Sequence, residues 1–161
     1  MQASLLSPKI PKNSYLTRNN ILFNINTIMS ETTTLNPTSD QTANHPIDIN
    51  LTDFENLKNT TELVLIDFWA EWCGPCKVMG PIIDRLSPTY SNVKFLKVNV
   101  DEAPELSELF SIQSIPTFYM VKFSGDGSFD VKANVVGKII GAVSEFDFKL
   151  AVDKIVEKVS Q

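Results

Sequence analysis

The sequence predicts an α/β domain built on a central mixed sheet of five strands flanked by about four helices, preceded by a disordered N-terminal extension. Three features carry that reading. From residue 45 onward strand-like and helix-like periodicities alternate, which favours parallel pairing through helical crossovers. Residues 63–69 form a near-continuous apolar run, as in a strand covered on both faces. Residues 124–128, Ser-Gly-Asp-Gly-Ser, join two strand-like runs and favour an antiparallel hairpin. At 161 residues, 43% of them apolar and 20% charged, the chain has room for one domain with its own core.

The elements follow in order. Residues 46–50 read as a short first strand. Thr52-Asp53-Phe54-Glu55 has the Thr-x-x-Glu spacing of a capping box, whose hydroxyl and carboxylate satisfy free backbone N–H groups, so a short helix follows. The buried strand 63–69 comes next. Beyond Pro75, the residues Met79, Ile82, Ile83, Leu86 and Tyr90 recur at helical spacing over about four turns, and Pro81 inside that helix is expected to kink it. Residues 93–100 read as a strand, and Pro104 opens a short helix with Leu106, Leu109 and Phe110 on its inner face. Residues 117–123 and 131–136 are the two hairpin strands. Ser144-Glu145-Phe146-Asp147 caps a last helix whose apolar stripe is Phe148, Ala151, Val152, Ile155, Val156 and Val159.

Residues 1–44 differ in kind from 45–161: they are rich in Asn, Ser and Thr and carry Pro8, Pro11 and Pro37. Residues 1–29 lack Asp and Glu, contain Lys9, Lys12 and Arg18, and place Ile21, Leu22, Ile25, Ile28 and Met29 at helical spacing, the outline of an organelle transit peptide, for which a mitochondrial destination is expected. The alternative is an Asn-rich tail without an address, and translation from Met29 would leave a cytoplasmic protein. The net charge of −5 argues against nucleic acid, which needs a basic patch to displace counterions. No stretch approaches the roughly 20 apolar residues of a membrane helix, so no membrane span is expected.

The two cysteines of the chain, Cys73 and Cys76, stand two residues apart between the buried strand and the following helix. So short a loop staples little, which leaves metal or redox chemistry. Zinc needs about four ligands, and the chain offers no further Cys and a single histidine, His45. Redox chemistry fits better. At a helix N-terminus the unpaired N–H groups and the dipole stabilise an anion and lower the pKa of Cys73. Cys76, one turn deeper, is expected to meet less solvent. Cys73 is then the group that attacks a substrate disulfide, and Cys76 the group that resolves the mixed disulfide. Gly74 and Pro75 shape the turn, Pro75 fitting the first helical turn where a missing N–H costs least.

The run Asp67-Phe68-Trp69-Ala70-Glu71-Trp72-Cys73-Gly74-Pro75-Cys76-Lys77 resembles the active-site segment of thioredoxins, whose motif Trp72-Cys73-Gly74-Pro75-Cys76-Lys77 matches residue for residue. The resemblance covers about residues 46–159 in element order and extends to Pro81, Ser114-Ile115-Pro116-Thr117 and Gly141. It implies the thioredoxin fold, and a nucleophilic thiol whose pKa in that family is about 7 against about 8.5 for a free thiol. It further implies a cis peptide before Pro116, with the Ile115 backbone free to pair with an extended substrate. Asp67, inside an apolar strand, should have a raised pKa, unless it sits at the strand end and reaches solvent. In the family the matching Asp exchanges a proton with the second cysteine, with a lysine nearby, here Lys97. Trp72 would offer substrate a flat apolar contact. Gly141 would admit a partner's backbone, or simply make a turn that needs positive φ. One departure stands out: the stretch from Pro116 to Gly141 is longer than expected for the family, which bears on Gly141 and on partner docking.

The resemblance implies a monomeric protein-disulfide reductase acting on disulfide-containing client proteins. It binds no cofactor, its redox group is the cysteine pair, and electrons come from NADPH through thioredoxin reductase. Two alternatives compete. A secretory-type disulfide oxidase or isomerase would usually carry His between the cysteines, where this chain has Gly74-Pro75, and an endoplasmic-reticulum retention signal, which Val159-Ser160-Gln161 is not. A binding subunit would use the fold as a docking surface with incidental thiol chemistry.

Overall fold

The computed structural model describes residues 44–161. The transit-peptide expectation falls on residues outside this range. Asn44, expected to belong to the extension, is tied to the domain, donating its side-chain amide to the carbonyls of Ser87, Tyr90 and Val93.

The elements run β1 (Ile47–Asp48), α1 (Leu51–Leu57), β2 (Leu63–Trp69), α2 (Gly74–Leu86), a 3₁₀ turn (Ser87–Thr89), β3 (Lys94–Asn99), α3 (Pro104–Leu109), β4 (Thr117–Lys122), α4 (Val131–Asn134), β5 (Val135–Ile140) and α5 (Glu145–Val159). They form one five-stranded sheet in the order β1-β3-β2-β4-β5. β3 pairs in parallel with β1 and β2, while β4 runs antiparallel to both β2 and β5, so the sheet is mixed as the alternation and the hairpin required.

β2 occupies residues 63–69 and is buried over nearly its whole length because helices cover both faces of the sheet. Its alternate residues sort the core. Val64, Ile66 and Phe68 pack with Phe54 and Leu57 of α1, Leu106 of α3 and Phe110. Leu63 and Leu65 pack with Met79, Ile83 and Leu86 of α2 and Phe148 and Val152 of α5. A Cβ at Gly137 of β5 would lie 2.3 Å from Ile155 Cδ1, so α5 is seated closer to β5 than any side chain there would allow.

Several expectations change. The cap of α1 is Asn50 paired with Asp53, not Thr52 with Glu55: the Asn50 side chain accepts from Asp53 N–H while the Asp53 carboxylate accepts from Asn50 N–H. The helix begins two residues earlier than the Thr-x-x-Glu reading, and β1 shrinks accordingly. Leu109 is 42% exposed rather than on the inner face of α3, because that helix ends at Leu109, while Leu106 and Phe110 enter the core. The helix after Pro75 stops at Leu86, and Tyr90 reaches the core from beyond the 3₁₀ turn.

The second hairpin strand starts at Val135 rather than at residue 131. Asp130 accepts from Ala133 N–H and Asn134 Oδ1 accepts from Asp130 N–H, and these local bonds close a helical turn over Val131–Asn134 despite its neighbouring β-branched residues. The connection before it is anchored: Phe129 sits edge-on to Phe54 at 5.0 Å and against Phe110 at 5.5 Å, and Gly127 N–H donates to the carbonyl of Lys58. This connection therefore packs over α1.

Candidate active site

Cys73 is the N-cap of α2 and Gly74 its first residue, with Pro75 in the first turn and Pro81 further inside. Cys73 and Cys76 form a disulfide with their Cα atoms 5.3 Å apart, and Cys76 N–H donates to Cys73 Sγ at 3.1 Å. The helix N-terminus thus already directs a backbone donor at the sulfur that becomes an anion when the bond opens, which is what lowers a thiol pKa. Both cysteines are buried in the oxidised pair, Cys73 at 3% and Cys76 at 6% exposure, so Cys76 is not the more shielded of the two. Ala70 lies beneath them, and Trp69, Val100 and Ile115 pack against the cluster.

The Ile115-Pro116 peptide is cis. Neither backbone group of Ile115 is engaged in a hydrogen bond among the described residues, so both are open to an extended chain. Pro116 C=O accepts from Gly141 N–H at 2.8 Å, which joins the start of β4 to the turn after β5 beside the cysteine loop. Gly141 has φ +81°, and a Cβ there would meet nothing within 4 Å. Backbone conformation therefore requires the glycine.

Trp72 is 69% exposed and held by its indole N–H, which donates to Asp101 Oδ2 at 2.8 Å. From Trp72 a groove of about 370 Å³ runs past Val100, Ser107, Ile112 and Ser114 to Ile115. Sequence reasoning missed Asp101 and this groove. The Trp72–Asp101 contact bridges the loops after β2 and β3, and no local pattern encodes a pair 29 residues apart.

Asp67 is 3% exposed in the middle of β2, not at a strand end that reaches solvent. The period of two places it with Leu63 and Leu65 on the face covered by α2. Its Oδ1 is buried without a hydrogen-bond partner. Burial pushes its pKa up to about 7; the Lys97 ammonium opposes that rise, and the Asp48 and Asp84 carboxylates add to it. Lys97 stands opposite Asp67 in register but closes no ion pair with it; its Nζ lies 4.1 Å over the Trp69 ring and 4.0 Å from Asp48 Oδ1. Among the described residues no cluster of His, Cys, Asp and Glu is placed to hold a metal ion, and no helix is long and apolar enough to cross a membrane.

A strand–loop–helix junction with a disulfide at the helix mouth can accept two electrons, and a half-buried groove beside it can take an extended chain. The comparisons agree with that chemistry. The thioredoxin family model matches residues 46–144. The mitochondrial thioredoxin-3 of Saccharomyces cerevisiae is 42% identical over 93 residues, covering 58% of this chain and 66% of that protein. A thioredoxin of Coprinus comatus is 45% identical over 75 residues, covering 45% of this chain and 71% of its own length. The chain thus spans about two thirds of the length of these relatives. The crystal structure of oxidised mitochondrial thioredoxin 3 from Saccharomyces cerevisiae superposes with a TM-score of 0.55 at 36% identity, covering 69% of this chain and 97% of that one. With the fold, the Trp-Cys-Gly-Pro-Cys-Lys site and a matching stretch of 99 residues in agreement, the chain belongs to the thioredoxin family, the protein-disulfide oxidoreductases that work through a redox-active cysteine pair.

Proposed function

We propose that this chain is a protein-disulfide reductase that carries out dithiol–disulfide exchange on protein clients and so contributes to redox homeostasis. The observation that carries the reading is the Cys73–Cys76 disulfide at the N-terminus of α2, with Cys73 as the cap. In the reduced protein the Cys73 thiolate attacks a client disulfide, forming a mixed disulfide and expelling one client thiolate. Cys76, deprotonated, then attacks Cys73 Sγ; the second client thiolate leaves, the internal bond closes, and two electrons have passed to the client. Asp67, with its proton affinity set near neutrality, takes the Cys76 proton and returns it in the reverse direction.

The open backbone of Ile115 pairs with an extended client segment, flanked by Pro116 and the Gly141 turn, while Trp72 with the Gly74-Pro75 loop supplies the apolar contact. The redox group is the cysteine pair itself, and it is recharged from NADPH through thioredoxin reductase. The protein works as a monomer, with residues 45–161 and the attached Asn44 as the redox domain and residues 1–43 as its extension.

The reduction potential tests this reading. Equilibration of the Cys73–Cys76 pair with a glutathione redox buffer is expected to give about −270 mV, the reductant range; a value near −180 mV would assign it to an oxidase or isomerase.

A mitochondrial destination is supported by the composition of residues 1–29 and by the name of the yeast relative. Residues 1–44 fused to a fluorescent reporter are expected to direct it into mitochondria. A diffuse cytosolic signal would instead favour a start at Met29.

A further inference from the structure

The sheet register lines up three charged residues on one face. Asp48 of the edge strand β1 lies opposite Lys97 of β3, and Lys97 opposite Asp67 of β2. In-register partners on neighbouring strands project to the same side, here the side covered by α2, and the row reads carboxylate, ammonium, carboxylate. The middle group is not shared equally. Lys97 Nζ lies 4.0 Å from Asp48 Oδ1 and over the Trp69 ring, and forms no ion pair with Asp67, whose Oδ1 is buried and unpartnered. The cation thus leans toward the solvated edge of the sheet, although the buried carboxyl has the greater need of it.

We propose that Asp48 is a positioning residue for proton exchange at the cysteine pair, acting by drawing the Lys97 ammonium toward the sheet edge and away from Asp67. The proposal rests on the reading of Asp67 as the proton-exchanging group. Paired closely with Lys97, Asp67 would be an ordinary ionised carboxylate and a poor proton acceptor from Cys76. With Lys97 held by Asp48 and Trp69, Asp67 keeps a proton affinity close to neutral pH. The charged groups that face it are Lys97 from β3, Asp48 from β1 and Asp84 from α2. Asp48 acts on Asp67 from two strand spacings away, roughly 10 Å, where a direct charge effect through a solvated edge is small and screened by salt. Its larger influence runs through the cation between them.

The test is the titration of the Asp67 carboxyl carbon, followed by NMR in the oxidised full chain, for the wild type, Asp48→Asn, Lys97→Met and the double variant. Asp48→Asn is expected to lower the Asp67 midpoint by about 0.3–1 pH unit. Asp48→Asn in the Lys97→Met background is expected to move it at least about twofold less. An unmoved midpoint, or an equal shift with and without Lys97, overturns the proposal. The pH profile of disulfide reduction by Asp48→Asn should move to lower pH with the titration. If the midpoint moves while that profile stays fixed, the Asp48–Lys97 linkage stands and the proton-exchange reading of Asp67 fails.

Discussion

Cys73→Ser is expected to abolish disulfide reduction, with a fall on the order of 10³-fold or more, because it removes the attacking thiol at the mouth of α2 and leaves Cys76 without the partner that closes the internal disulfide. The fold should survive. Serine is a favoured N-cap and can accept from the Cys76 N–H as Cys73 Sγ does, so α2 keeps its cap. The lost crosslink spans a sequence separation of only three, and so short a loop accounts for about 2 kcal/mol of the stability of the oxidised form. Cys76→Ser should behave differently: attack by Cys73 proceeds, resolution does not, and the protein accumulates as a covalent adduct with its client. Non-reducing electrophoresis and intact mass distinguish the two outcomes. Adducts forming through Cys76 in the Cys73→Ser protein, at the rate of the Cys76→Ser protein, would reverse the assigned roles. That reversal matters, because the two cysteines are nearly equally buried in the oxidised pair and exposure does not choose between them.

Asp67→Asn is expected to stabilise the oxidised protein at alkaline pH and leave it unchanged in acid. Asp67 has a pKa raised from 3.8 to about 7 by burial. A carboxyl raised in the folded state binds more protons folded than unfolded between those two values, so stability falls as pH climbs through that window. Below about pH 4 both states hold the proton and the group costs nothing. Above about pH 7 the folded protein must keep a buried carboxylate with one unpartnered oxygen, a penalty on the order of 4 kcal/mol. Asparagine has the same shape and no charge, so the two proteins should unfold alike in urea at pH 4 and separate by roughly 2–4 kcal/mol at pH 8. The same variant should resolve mixed disulfides at least about tenfold more slowly at neutral pH, having lost the proton acceptor. Equal stabilities at both pH values would mean that water reaches the carboxylate and would remove its claim to a proton-exchange role.

Elements whose signals are local and strong could be read from the sequence. β2 came out residue for residue, because an uninterrupted apolar run has one low-energy solution once both faces must be covered. The cap and buried stripe of α5 could also be read, since Ser144 accepts from Asp147 N–H and Phe148 and Val152 sit on the buried stripe. Where two local patterns competed, the outcome depended on their surroundings. Thr52 with Glu55 and Asn50 with Asp53 both fit a capping box, and the second won because starting α1 at Leu51 turns Phe54 and Leu57 together into the core. Residues 131–136 carry strand-forming Val, yet the Asp130 and Asn134 side chains close a helical turn first and the strand follows.

By itself the sequence determined the chemistry: two thiols two residues apart at a strand-to-helix junction, a carboxyl inside an apolar strand, and the order of elements around them. Those follow from short-range patterns of spacing and hydropathy. Tertiary structure alone decided which charge each charge meets. The Asp101 carboxylate reaches the Trp72 indole, and Lys97 leans toward Asp48 rather than Asp67. Such pairings arise from sheet register and loop approach between residues tens of positions apart, and burial then fixes what they do to a proton.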